Sequence, residues 1–277
     1  MSGRLGPALV LLAHGSRDPR HADAARALVR RIGERRRGLR TAVGFLDFDR
    51  PTVPALLHRL SAEGVGEAVC VPLLLTPAHH ARTDVPAALE PPPGLLVRGT
   101  RVLGPDPLLL EAMELRLAEA GLTPEQRGRT GVVLAVAGTS LPPGRAVVAA
   151  LADRWRWRGW HSVGTAHASG DGPGTGDAVA ALRRRGATRV AVAPCLIAPG
   201  RLADRIAAEA HRAGADLVGG CLGDAPQLVE LVLRRYTEAC RPRVGSVSGP
   251  HQPPLRQFPP ARIPPVWTTA PREEPAR

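Results

Sequence analysis

The sequence predicts an α/β protein made of two tandem lobes, each built around a central parallel sheet. Two observations carry this expectation. Short apolar, β-branched runs alternate with longer Ala/Leu/Arg segments of helical period, the pattern of strand–helix–strand units whose strands pair in parallel. In addition, segments of the first half return in the second at nearly constant distance. LLAHGSRDP (11–19) matches LAVAGTSLP (134–142) at an offset of 123, VPLLLTPA (71–78) matches APCLIAPG (193–200) at 122, and LGPDP (103–107) matches LGDAP (222–226) at 119. Such regularity argues for an internal duplication, so the halves share a fold.

Taken in order, the apolar runs of the first half place strands near 8–13 (ALVLLA), 42–47 (AVGFLD), 67–75 (EAVCVPLLL) and 95–98 (LLVR). Helices are expected near 20–36, 52–63, 81–89 and 106–120, where the apolar residues recur at helical spacing. The second half repeats the plan, with strands near 131–137, 161–166, 188–197 and 215–218 and helices near 144–157, 176–186, 201–213 and 225–239. The polar segment LTPEQRGRT (122–130) breaks the period and reads as a linker between an N-terminal lobe, 1–121, and a C-terminal lobe, 131–241. From residue 242 to 277 Pro, Arg, Ser and Gly dominate without periodicity, the composition of a disordered tail.

Composition narrows the function. At 277 residues and 44% hydrophobic content there is room for two cores, which must be aliphatic because aromatics make up only 3%. That scarcity removes the stacking platforms single-stranded nucleic acid needs, and no nucleic-acid partner is expected. The net charge is +12, and every basic residue is arginine. Coding bias and solvated helix faces suffice to explain the arginines, but the charge still draws anionic ligands. Cys70, Cys195, Cys221 and Cys240 form no CxxC pair, so they read as reduced, small apolar residues. The apolar run 8–13 is too short for a signal segment and no stretch is long enough to span a membrane, so a cytoplasmic protein is expected. There is no Walker loop and no GxGxxG after a strand, so no nucleotide is expected.

Three polar positions fall where first-half strands end. His14 follows the first strand, Asp47 ends the second, and His79-His80 follow the third, with 33 residues between His14 and Asp47 and between Asp47 and His80. Ligands of open parallel sheets bind outside the carboxyl ends of the strands, so these groups should meet at one rim. Two imidazoles and a carboxylate can hold a divalent first-row metal while leaving coordination positions open, and the same groups are bases near neutral pH. Taken singly, His14 could cap a turn, Asp47 or Asp49 could cap the following helix, and His79-His80 could form a solvated loop. The second half aligns Ala137 with His14 and about Leu202 with His80, so it keeps the scaffold and lacks the imidazoles. One active site is expected, with the second lobe closing over it.

The stretches AHGSRDP (13–19), FLDFDRP (45–51) and VPLLLTPAHHARTDVP (71–86) resemble the sirohydrochlorin chelatase family, the class II chelatases of siroheme and cobalamin synthesis, in its long two-lobed form. The resemblance covers about 1–240. It implies two flavodoxin-like lobes with a tetrapyrrole between them, forming a monomer with a pseudo-twofold. It also implies a lyase that inserts Fe(II) or Co(II), as substrate metal, into sirohydrochlorin. The family's histidines fall on His14 and, because Asp84-Val85-Pro86 set the register, on His80. Its glutamate falls on Asp47, one methylene shorter, and Ala78 stands where the family usually has glycine. His14 and His80 are thus the implied catalytic and metal-holding residues, with Asp47 as third ligand. Ser16, Arg17 and Arg82 flank them and are candidates for gripping substrate carboxylates. The alternatives are a tetrapyrrole or metal carrier on the same fold, and a histidine-phosphatase-like phosphohydrolase. In the latter an arginine precedes the histidine, whereas here Ala13 precedes His14.

Overall fold

A computed structural model describes residues 6–76, 84–139 and 141–241. The chain runs β1 (Ala8–Ala13), α1 (Pro19–Arg35), β2 (Thr41–Phe45), α2 (Val53–Ala62), β3 (Glu67–Pro72), α3 (Asp84–Ala88), β4 (Leu96–Gly99) and α4 (Pro107–Glu119). A 3-10 turn (Pro124–Arg129) leads into β5 (Thr130–Val136), α5 (Pro142–Arg156), β6 (Ser162–His167), α6 (Thr175–Arg184), β7 (Arg189–Pro194), α7 (Arg201–Arg212), β8 (Leu217–Val218) and α8 (Pro226–Cys240). Two four-stranded parallel sheets result, in the orders β2-β1-β3-β4 and β6-β5-β7-β8. The expected α/β architecture of two like sheets is what the chain adopts.

The β1 run has no polar alternation because both of its faces are covered. Leu9, Leu11 and Ala13 pack with Ala25, Leu28 and Ile32 of α1, while Ala8, Val10 and Leu12 pack with Val53, Leu56, Leu57 and Leu60 of α2. Each fully buried aliphatic side chain here contributes about 1.5–3 kcal/mol relative to exposure.

Two expectations need correcting. Strands β3 and β7 stop at Pro72 and Pro194, three residues early. Leu73 N–H still reaches the Leu12 carbonyl at 2.8 Å and Cys195 N–H the Ala135 carbonyl at 2.7 Å, but beyond them the chain leaves the ladder. Strand β8 shrinks to two residues. The segment 122–130, which joins α4 to β5, is itself folded. Leu122 is buried, Thr130 Oγ1 donates to the Gln126 carbonyl at 2.7 Å, and the Arg127 guanidinium lies 4.8 Å from the Trp160 ring centre while Nη2 donates to Glu114 at 3.2 Å. Arg127 there lays its plane on an indole while pairing its charge.

The lobes also exchange their last helices. Helix α4, from the first lobe, lies against β7, and α8, from the second, lies against β3. Arg116 of α4 donates from Nη2 to the Leu222 carbonyl at 2.8 Å and pairs with Asp224 at 3.3 Å. Arg235 of α8 donates from Nη2 to the Leu103 carbonyl at 2.7 Å and pairs with Asp106 at 3.3 Å. The offset of 119 that relates Leu103 to Leu222 also relates Arg116 to Arg235. The same contact is made twice in opposite directions, as across the interface of a symmetric dimer. On that side the two sheets share one continuous core.

Candidate active site at the cleft between the repeats

Strand β1 lies between β2 and β3, so the connections on either side of it leave in opposite directions and open a crevice at its carboxyl end. His14, Gly15 and Ser16 occupy that point. Gly15 has φ +89°, and a Cβ built on it would come 1.8 Å from the Asp47 carbonyl oxygen, so only glycine fits. The approach is close because Leu46 and Asp47 donate their N–H groups to the Ala13 and His14 carbonyls, both at 2.9 Å. Strand β2 itself ends at Phe45, and Asp47 sits beyond it in a turn that Phe48, at φ +61°, folds back.

Within that turn the two carboxylates divide their roles. Asp47 Oδ1 accepts the Phe48 N–H at 2.8 Å. Asp49 Oδ2 accepts the Ser16 N–H at 3.0 Å and so ties the turn to the His14 loop. Phe48 is half-exposed and presents its ring to the edge of His14, centroids 6.5 Å apart at 86°. The Arg17 guanidinium stacks over the same ring at 5.4 Å. Ser16 Oγ accepts the Asp18 N–H at 3.1 Å, and Asp18 in turn caps α1 by accepting the Arg20 N–H at 3.0 Å.

His14 faces a cleft of about 410 Å³. One wall comes from the first lobe (Ala13–Ser16, His21, Leu73–Thr76) and the other from the second (Val136–Thr139, Cys195–Ala203). Cys195 contributes a neutral thiol to this wall, since burial pushes its pKa up to about 12. Cys70 is likewise a buried thiol pushed up to about 12, and the four cysteines are free. The structure therefore brings His14, Ser16 and the Asp47 turn to one rim. His79, His80 and Arg82 lie outside the described residues. Among the described residues no cluster of three or more His, Cys, Asp or Glu has metal-holding geometry, and none of the helices is long and apolar enough to cross a membrane.

The family model of CbiX matches this chain twice, over residues 8–120 and 131–239. The chain belongs to the CbiX family. It is 33% identical over 82 residues to the sirohydrochlorin cobaltochelatase of Methanococcus aeolicus, a match covering 30% of this chain and 57% of that protein. The chain thus spans little more than half the length of that relative. To the sirohydrochlorin cobaltochelatase of Priestia megaterium it is 26% identical over 214 residues, covering 74% of this chain and 69% of the relative. In structure it resembles SirB from Bacillus subtilis with Fe3+, with a TM-score of 0.73 and 21% identity over 84% of this chain and 95% of that one. This last likeness speaks for the fold.

The two CbiX repeats carry the same rim in different chemistry. In the second repeat Gly138 has φ +107° and a Cβ there would lie 1.9 Å from the Ser169 carbonyl oxygen, as Gly15 does with Asp47. Ala137 stands in place of His14, Thr139 in place of Ser16, and Ser169 in place of Asp47, with its hydroxyl donating to the Ala137 carbonyl at 2.7 Å.

The first CbiX repeat also holds an imidazole that motif reading missed. His21 sits in the first turn of α1 and lines the cleft near His14. Its Nδ1 is buried without a hydrogen-bond partner, and burial holds its pKa below the usual imidazole range against the opposing pull of Asp49. The available signal was its place on the apolar stripe of α1: His21, Ala25, Leu28 and Ile32 follow one another at helical spacing, and the polar member lies at the end next to His14. Its counterpart is Gly144, where a Cβ would meet the Thr139 side chain at 2.7 Å, so a larger residue there would require Thr139 to shift.

Proposed function

We propose that this protein is a sirohydrochlorin chelatase, a cytoplasmic lyase that inserts Fe(II) or Co(II) into sirohydrochlorin without a nucleotide. The observation that carries this reading is His14 standing at the mouth of a largely apolar cleft walled by both CbiX repeats, while the matching position of the second repeat is Ala137. The names of the relatives support it: besides the cobaltochelatases, a sirohydrochlorin ferrochelatase of Priestia megaterium is 25% identical over 214 residues, covering 76% of this chain and 80% of that protein.

In the mechanism, His14 and His80 hold the incoming divalent ion with Asp47 as the third ligand. Nitrogen donors and one carboxylate fix the ion while leaving faces open for the pyrrole nitrogens. Apolar walls take the macrocycle plane, and Ser16, Arg17 and Arg82 meet its carboxylates at the rim. Insertion replaces two pyrrole N–H protons by one divalent ion, so two protons must leave, and the two imidazoles that hand the metal over become bases, one for each proton, before passing them to solvent. Residues 1–121 supply the chemistry and 131–241 the opposing wall, and the exchanged helices make a single chain sufficient.

The test follows the visible spectrum of sirohydrochlorin with Co(II) or Fe(II), with and without protein. Catalysed metallation is expected, and His14→Ala and His80→Ala should each slow it ~100-fold or more with the circular dichroism spectrum unchanged. Binding of the tetrapyrrole without acceleration would identify a carrier instead.

A further inference from the structure

Among the described residues lining the cleft, Arg201 is the one permanently charged side chain. It is the first residue of α7, on the wall supplied by the second repeat, and it makes no ion pair or hydrogen bond. By the offset of 122 it stands where the first repeat has His79. From this placement we infer that Arg201 is the carboxylate-reading group of the second lobe, taking one side-chain carboxylate of the tetrapyrrole while His14 faces the macrocycle from the other wall. This rests on the chelatase reading and adds to it a substrate-positioning residue from the lobe that lacks the imidazoles.

Three features argue for it. The cation is held on a fixed platform. Three residues on, Asp204 accepts Arg20 Nη1 at 3.1 Å and Nη2 at 2.6 Å, and Arg20 Nη2 also reaches Asp18 at 2.6 Å, so the first turn of α7 is tied across the cleft to the first turn of α1. The same turn is open at its end, since Gly200 offers no capping side chain. The surroundings are apolar: Leu73, Leu74, Val136, Val148, Leu151 and Ile197 form the nearby walls. A guanidinium there can take a carboxylate through two parallel N–H donors. In the chelatase reading this arginine lines the cleft in which the substrate lies.

The deciding experiment measures steady-state metallation of sirohydrochlorin by Co(II) in wild type, Arg201→Gln and Arg201→Lys, together with tetrapyrrole binding by fluorescence quenching in the absence of metal. The glutamine variant should raise both KM and the dissociation constant ~10-fold, the loss of one charge-assisted pair, with a smaller change in kcat. Lysine should restore part of the affinity. A tetrapyrrole with esterified side chains should bind wild type and Arg201→Gln equally. Arg201 is exposed, so both variants keep the wild-type melting temperature. Unchanged KM and binding in Arg201→Gln, with wild type active, would overturn this assignment and leave the chelatase reading standing. If wild type fails to metallate, that reading falls, and the binding arm alone decides: weaker tetrapyrrole binding in the glutamine variant upholds the carboxylate contact, and equal binding overturns it. A drop in kcat with KM and binding unchanged also overturns it.

Discussion

The two strand-end rims share a backbone and differ in chemistry. Gly15 and Gly138 have the same left-handed turn and the same approach to a carbonyl oxygen, at 1.8 and 1.9 Å from a built Cβ. Around one of them stand His14, Ser16, His21 and the Asp47 turn. Around the other stand Ala137, Thr139, Gly144 and Ser169. The backbone conformation therefore belongs to the fold, because a β1-type strand that leaves its sheet between two neighbours needs that glycine whether or not there is chemistry. In the chelatase reading the imidazoles belong to the reaction, because of the two rims only the first has them.

Substituting the paired glycines is the strongest way to break this comparison. Gly15→Ala and Gly138→Ala force a Cβ into a backbone oxygen at positive φ, and each should cost about 3 kcal/mol or more in chemical denaturation. The stability losses should match. Metallation by the fraction that remains folded should fall steeply for Gly15→Ala and stay near wild type for Gly138→Ala. Equal losses of activity per folded molecule would show that the second rim is also part of the reaction.

The next test uses the exchanged helices. Arg235 is fully buried and satisfies two carbonyls and Asp106, whereas its twin Arg116 keeps 17% of its side chain exposed. Removing Arg235 leaves Asp106 paired with Arg234 but takes the donor from the buried Val102 and Leu103 carbonyls, which costs more than loss of a partly solvated pair. Arg235→Ala should lower unfolding free energy by about 3 kcal/mol and Arg116→Ala by about 1 kcal/mol, read from urea midpoints. If both cost the same, the exchanged contacts are energetically symmetric in spite of their unequal burial.

Much of the fold was legible because its signals are local. Apolar run lengths and the 123-residue offset locate β1 and β5 without knowledge of the tertiary structure, and His14 stands out because a polar residue ends an unbroken apolar run. What escaped is set by non-local packing. The sequence around α4 reads as the last helix of the first lobe, and nothing in its own period says that β7 covers its apolar face. Arg127 in the 122–130 segment and His21 in α1 were hidden for a related reason. A polar residue reveals its burial only through partners far along the chain, Trp160 for the first and the cleft wall for the second. Arg201 was legible as a charge at a helix start, but its bearing on the site depends on Asp204 meeting Arg20 across the lobes.

The smallest effect sharpens the rim comparison through pH. His21 has its pKa lowered in the folded protein, mainly by burial, so the folded state favours the neutral ring while the unfolded chain binds a proton at the ordinary imidazole value of 6.5. A depressed histidine leaves stability intact above that ordinary value, and stability is lost as pH falls below it, because the unfolded state then takes up protons the folded state resists. Asp18 and Asp49 face the same ring and pull its pKa upward, and His14 pulls it down, so part of the penalty is offset locally. Wild type should therefore lose more stability between pH 7.5 and pH 5.5 than His21→Gln, measured by denaturant midpoints at both pH values. No comparable difference should arise from the second rim, whose counterpart Gly144 carries no titratable group. A His21→Gln profile that follows wild type through this range would mean that the ring is solvated rather than buried against the cleft.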